Sequence, residues 1–122
     1  MAGIVSGILF SISSIILGAF AHHALQDQLS DKELQAIQVA SRYLFYNAIP
    51  LLLLFFTNQD WQWPKSLIYS FIFSGLLFSG SILILIFTNI TIAAYFTPLG
   101  GLGMILSWAW WLGLIIKKFN KN

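Results

Sequence analysis

From Ser66 to Ile116 the chain runs 51 residues without an Asp, Glu, Lys, Arg or His. A helix rises about 1.5 Å per residue and the hydrocarbon core of a bilayer is about 30 Å thick, so this stretch can cross twice with room for a turn. The chain therefore reads as an integral membrane protein.

All ten charged residues fall at Asp27 to Glu33, at Arg42, at Asp60 to Lys65 and at Lys117 to Lys121. A charge at the bilayer centre costs about 2.5–3.5 kcal/mol even on the permissive insertion scale, so these positions mark loops and ends. The apolar segments between them give expected spans at 2–22, 38–57, 65–88 and 97–117. The expected fold is all-α, a single transmembrane domain over residues 1–122 built as a four-helix bundle.

The second span needs the most argument, because only 15 residues separate Arg42 from Asn58. Upstream, Ser30 and Glu33 have the spacing of a capping box, which starts a helix before the membrane. Leu34, Ile37, Ser41, Leu44 and Ala48 then recur at helical steps and give that lead-in an amphipathic face. One long helix follows, with a kink expected at Pro50, whose ring removes an amide and crowds the carbonyl of Tyr46. Arg42 then has to snorkel or pair with Asp27, Asp31 or Glu33. Pro64 and Pro98 suit first helical turns, and Thr97 is positioned to cap the last helix. Trp61, Trp63, Tyr95, Trp110 and Trp111 lie near the helix ends, where amphipathic rings prefer the interface, while Trp108 lies deeper and is expected to pack on another helix.

Four spans put both termini on one side with the loop at Asp60 to Lys65. That side carries Lys65, Lys117, Lys118 and Lys121, against Lys32 and Arg42 on the other, so the positive-inside bias places both termini in the cytoplasm. The lysine tail fits anionic lipid or orientation better than nucleic acid, and no nucleic-acid partner is expected. Ala19-Phe20-Ala21 has the look of a signal-cleavage site, but Met1-Ala2-Gly3 supplies no basic start and the apolar run is too long, so the segment reads as a retained span. With no cysteine, thiol chemistry and thiolate-held clusters are excluded.

Gly3, Gly7, Ser11, Ser14 and Gly18 form a narrow stripe of small side chains along the first helix, and Gly100, Gly103 and Ser107 line the fourth. Stripes of this kind let helices approach closely in lipid. They either tighten the bundle or, for the first helix, leave a face for a partner or a second copy. His22 and His23, the only imidazoles, point about 100° apart on a helix and cannot comfortably share a metal. No metal or cofactor is expected.

Four short segments resemble the YgdD/YwdK family, also known as domain-of-unknown-function family 423. Gly18-Ala19-Phe20-Ala21-His22-His23-Ala24-Leu25 is similar to its Gly-Ala-Phe-Gly-Ala-His-x-Leu motif, and Phe78-Ser79-Gly80-Ser81 to its Phe-Ser-Gly-Ser. Thr97-Pro98-Leu99-Gly100-Gly101 and Ser107-Trp108 follow in the family's order. The resemblance implies a small multi-span bacterial inner-membrane protein with animal relatives and no assigned activity. It also aligns His23, rather than His22, with the family's histidine, and puts Tyr43-Leu44-Phe45-Tyr46-Asn47 where the family has Tyr-Gln-x-x-His. Asn47 would break a metal-binding histidine pair but keeps a hydrogen-bonding role.

The candidate polar cluster is thus His23, Tyr43, Asn47, Ser79, Ser81 and Thr97, and His23→Ala is expected to do more harm than His22→Ala. With no carboxylate pair inside the membrane and no nucleophile beside a base, the chain is not expected to be an enzyme. The expected role is an accessory subunit or interaction partner in a larger membrane assembly, with lipid and other subunits, or a second copy, as partners. The alternative is an oligomeric transporter or channel for a small solute, with Tyr43, Asn47, Ser79, Ser81 and Thr97 lining a polar path.

Overall fold

The charged stretches at Asp27 to Glu33 and Asp60 to Lys65 separate helices in the computed structural model, which describes residues 1–121, while Arg42 lies within one. Helix α1 spans Ala2–His23, α2 Asp31–Trp61, α3 Lys65–Thr88 and α4 Phe96–Asn120, with a short 3-10 turn at Thr91–Tyr95 between the last two. All four helices are long and apolar enough to cross a membrane, the turn running on into α4.

Helix α2 starts where the capping box puts it. Ser30 Oγ accepts from the Glu33 amide at 3.2 Å, and Glu33 Oε1 accepts from the Ser30 amide at 3.2 Å. The helix then runs without a break through Pro50, which is buried, to Trp61. Its far end stops at Gln62, whose left-handed backbone turns the chain, and the Trp63 amide donates to Asn58 Oδ1 at 3.0 Å. Lys118 of α4 donates to the last carbonyl of α2, Trp61 O, and its ammonium lies 5.3 Å from the Trp61 ring centre and 5.4 Å from that of Trp63. A cation at a helix C-terminus meets the negative end of the dipole, and the ring faces add to that attraction.

The start of α4 differs from the sequence expectation. The 3-10 turn already has helical geometry when it reaches Tyr95, so α4 begins at Phe96 and has no side-chain cap. Thr97 lies inside the first turn, and its hydroxyl pairs instead with Ser81 Oγ at 2.5 Å.

The helices pack in chain order, α1 on α2, α2 on α3 and α3 on α4, and α1 also touches α3. Neighbours are antiparallel, so Met1, Asn58, Trp63 and Lys65 border one hollow at the end that Lys118 also occupies. The core joins Phe10 of α1, Leu44, Ala48, Leu51 and Leu54 of α2, Trp63, Leu67 and Phe71 of α3 and its approach, and Trp111 of α4. Trp63 and Trp111, expected near the helix ends, are buried there against other helices. Their rings meet edge to face 6.0 Å apart, which seals the charged end of the bundle from within. Trp108 packs edge to face on Phe71 at 5.6 Å, and Arg42 stays exposed on α2.

Candidate functional site

Polar side chains inside the spans serve as ties between helices. Between α1 and α2 two serines exchange hydrogen bonds: Ser14 Oγ donates to Ser41 O at 2.7 Å, and Ser41 Oγ donates to Ser14 O at 2.6 Å. The rest of the α1 stripe faces the same way. A Cβ at Gly3 would stand 3.2 Å from Leu51 O, at Gly7 2.8 Å from Leu52, and at Gly18 3.3 Å from Ser41 Oγ. Ser11 Oγ donates within its own helix, to Gly7 O at 2.9 Å. The stripe is consumed by α2 of the same chain, which removes it as a free docking face.

Between α2 and α3, Ser79 Oγ donates to Ala40 O at 2.8 Å, and Asn47 Nδ2 donates to Phe71 O at 2.9 Å and to Ser74 Oγ at 3.2 Å. Phe10 of α1 and Asn47 of α2 meet over Gly75, where a Cβ would stand only 2.7 Å from the Phe10 ring and 2.8 Å from Asn47 Nδ2. Between α3 and α4 the pair Ser81 and Thr97 is followed by Gly100 against the Phe78 backbone and Gly103 against Ser74.

The six residues expected to form one polar cluster separate. Tyr43 and Asn47 share a cleft, Ser79 binds Ala40, Ser81 binds Thr97, and His23 is exposed at the end of α1. His22 rather than His23 reaches across, its Nε2 pairing with Gln38 Nε2 of α2 at 2.9 Å. The order expected from sequence therefore reverses. His22→Ala should lower the melting temperature by a degree or two, the scale of one exposed hydrogen bond of about 0.5 kcal/mol, while His23→Ala leaves it unchanged. A melting curve of each variant in detergent checks this, and a larger drop for His23→Ala would restore the original order.

One cleft among these ties is roomy enough to hold a ligand. It has a volume of about 540 Å³ and lies between α2 and α4 with α3 as its floor. Val39, Tyr43, Tyr46 and Asn47 come from α2, Phe78 from α3, and Gly101, Met104, Ile105 and Trp108 from α4. Its lining is mostly apolar, with the Tyr43 and Tyr46 hydroxyls, the Trp108 indole N–H and the Asn47 amide as its polar side-chain groups. The Asn47 side chain is fully buried, and its Oδ1 has no hydrogen-bond partner. The amide orientation follows from its neighbours: a backbone carbonyl only accepts, so the nitrogen must face Phe71 O and the oxygen is left over. An unpaired buried acceptor costs about 1–3 kcal/mol. Among the described residues Trp111 Nε1 is the other buried side-chain polar atom without a partner, but Trp111 lies in the core rather than on the cleft.

Sequence reasoning found Tyr43 and Asn47 and missed Tyr46, Phe78, Gly101, Met104 and Trp108 as their companions. The spacing was readable: Val39, Tyr43, Tyr46 and Asn47 fall on one helical face, as do Gly101, Met104, Ile105 and Trp108. Nothing in it says that these two faces look at each other. Among the described residues, no three His, Cys, Asp or Glu side chains gather as a metal site would need.

Comparison with known proteins places this architecture. The model of a family described as "Protein of unknown function (DUF423)" matches residues 17–101, more than half of the chain. The chain belongs to the DUF423 family. Among relatives of this DUF423 protein, the UPF0382 membrane protein YwdK of Bacillus subtilis is 35% identical over 108 residues, covering 86% of this chain and 88% of its own. The UPF0382 membrane protein SH2409 of Staphylococcus haemolyticus is 35% identical over 121 residues, covering 96% and 94%. SAB0533 of Staphylococcus aureus, with the same description, is 33% identical over equal shares. No solved structure matches. The DUF423 match takes in the Ser14-adjacent end of α1, all of α2 and α3, and α4 as far as Gly101, so it includes the α2 and α3 walls of the cleft. This DUF423 chain is a multi-pass membrane protein, like the membrane proteins it resembles.

Proposed function

We propose that the chain is an accessory subunit of a larger assembly in the bacterial inner (plasma) membrane, with both termini in the cytoplasm. The observation that carries this reading is on the outer side of α4. Gly113 is exposed, a Cβ there would meet nothing within 4 Å, and Ala109 stands exposed one turn earlier. The other small residues of α4 serve its contact with α3, whereas these two have no such use in the chain. A small-xxx-small pair facing lipid is what a neighbouring helix needs to come close. The orientation follows from charge: Lys65, Lys117, Lys118 and Lys121 gather at the end that holds Met1.

The alternative of an oligomeric channel or carrier has less support, because the serines and threonine that could line a polar path are spent in pairs between helices. An enzymatic role has none in the polar inventory of the spans.

Gentle extraction of the tagged chain from its native membrane, with quantitative mass spectrometry, tests the reading. The parent should carry a membrane partner in fixed ratio. Gly113→Leu should melt at the parent's temperature and retain about ten-fold less partner, equivalent to about 1.4 kcal/mol of contact. A parent that purifies alone, or a Gly113→Leu variant that keeps its partner, would sink the proposal.

A further inference from the structure

We propose that Arg42 is the docking point for a membrane-spanning helix of another protein, one that carries an Asp or Glu at the depth of Arg42. The inference rests on the accessory-subunit reading and names the chemistry of the partner, on a different helix from Gly113.

The depth of Arg42 follows from its neighbours. Ser41 exchanges hydrogen bonds with Ser14, and Ala40 accepts from Ser79. From Ser14 to the end of α1 at His23, and from Ser79 to the end of α3 at Thr88, is about 13 Å at a rise of about 1.5 Å per residue. The opposite ends, Ala2 and Lys65, lie about 18 and 21 Å away on the same reckoning. Arg42 therefore stands near the middle of the two helices that flank α2. It also stands on the outward side. Ile37, Ser41, Leu44, Ala48 and Leu51 are the buried face of α2, while Arg42 is exposed and continues along exposed Tyr46, Ile49 and Leu53 toward the end that holds Met1.

Arginine keeps its charge in proteins, so at this depth it calls for an anion. Its own chain cannot supply one. The acidic residues are Asp27, Asp31, Glu33 and Asp60. Glu33 is half a turn out of phase with Arg42, and Asp31 shares its face but stands about 16 Å along the axis. Asp27 precedes the helix and Asp60 lies in its last turn. A second copy fails for the same reason, since it carries no acid inside a span. Among the described residues the cation that rests on ring faces is Lys118 and not Arg42. Snorkelling falls short as well: the side chain leans toward the start of α2, but the 13 Å or so to the ends of α1 and α3 is more than it spans. What fits is a carboxylate brought by a neighbour. The guanidinium fork takes it with two parallel hydrogen bonds, and the exposed row at Tyr46, Ile49 and Leu53 gives the same neighbour a bed to lie on.

The test places the full chain, donor-labelled, in phosphatidylcholine vesicles with acceptor-labelled poly-leucine spans that carry one Asp or no polar residue at the depth of Arg42, and reads energy transfer. The Asp span should associate with a midpoint about ten-fold below that of the all-leucine span. Arg42→Leu should erase that advantage, and the variant alone should melt at or above the parent's temperature. In native membranes a photoreactive amino acid in place of Ile49 should cross-link to one span with an Asp or Glu at this depth, in a yield that falls about ten-fold in the Arg42→Leu background. Equal association of the two spans, an advantage that survives Arg42→Leu, a variant that melts well below the parent, or cross-links that reach only lipid each overturn the proposal, the last by showing that lipid phosphates serve the arginine. A native partner lost in Gly113→Leu together with lipid-only cross-links at position 49 would sink this inference and leave the accessory-subunit reading standing.

Discussion

Gly100→Leu should insert into the membrane and then fail to give a folded, monodisperse protein, losing about 3 kcal/mol or more of stability. The neighbour that a side chain would strike is backbone: a Cβ at Gly100 would stand 2.6 Å from the Phe78 Cα and closer still to its amide nitrogen. A side chain in the way can rotate aside, but a helical backbone can only be pushed off as a unit. Helix α4 has little else to hold it, because α3 and the 3-10 turn are its main neighbours. Separating α3 from α4 would also break the Ser81–Thr97 pair one turn away and lift Gly103, whose Cβ position is 3.0 Å from Ser74, off its contact. The adjacent Gly101→Ala is the control, since its Cβ would rest in ordinary contact with the Phe78 ring; it should melt within about 0.5 kcal/mol of the parent. Size-exclusion profiles and melting curves in detergent separate the two outcomes. A Gly100→Leu variant that melts with the parent would mean that α3 and α4 do not approach this closely.

The helices themselves were legible because charge is so costly in lipid. Nine of the ten charged residues sit at the boundaries, Arg42 being the exception, and the long lead-in of α2 was visible in Ser30 and Glu33. What sequence cannot supply is which face meets which. The α1 stripe was plain as a row of small residues, and Ser41 and Ala48 were visible on a periodic face of α2, but nothing in either row says that the two pack on each other. The two histidines could not be told apart for a related reason. Adjacent residues differ by about 100° on a helix, so the phase of α1 against α2, set by packing many residues away, decides that His22 and not His23 reaches Gln38. Thr97 was misread as a cap because a hydroxyl before a proline suits that role, yet the 3-10 turn carried helical geometry past it. The cleft lay furthest from view. Aromatic residues in a membrane sequence read first as an interfacial belt or as core, and only the antiparallel arrangement of α2, α3 and α4 brings Tyr43, Tyr46, Phe78 and Trp108 around one space beside a half-satisfied amide.

Substituting Ser14 separates the two forces that join α1 to α2. Ser14→Ala deletes the bond from Ser14 Oγ to Ser41 O at 2.7 Å but leaves Ser41 Oγ donating to the backbone carbonyl of residue 14 at 2.6 Å. Hydrogen bonds between membrane helices average about 0.6 kcal/mol, so this variant should lose about that much. Ser14→Leu deletes the same bond and adds a net two heavy atoms of bulk to an interface with no spare room, where Gly18 already stands 3.3 Å from Ser41 Oγ by its Cβ position and Gly7 2.8 Å from Leu52. Its loss should reach about 3 kcal/mol, most of it steric. Leucine is more apolar than serine, so insertion into the bilayer should be unharmed or improved, and the damage must appear in helix packing alone. Measuring the unfolding equilibrium of both variants in bilayers, alongside a glycosylation assay for insertion, reads the two steps separately. In a double-mutant cycle with Ser41→Ala the two losses should nearly add, since each hydroxyl donates to the other residue's backbone carbonyl, which both alanines keep. Equal stability of Ser14→Leu and the parent would mean that the small-residue face of α1 does not pack on α2.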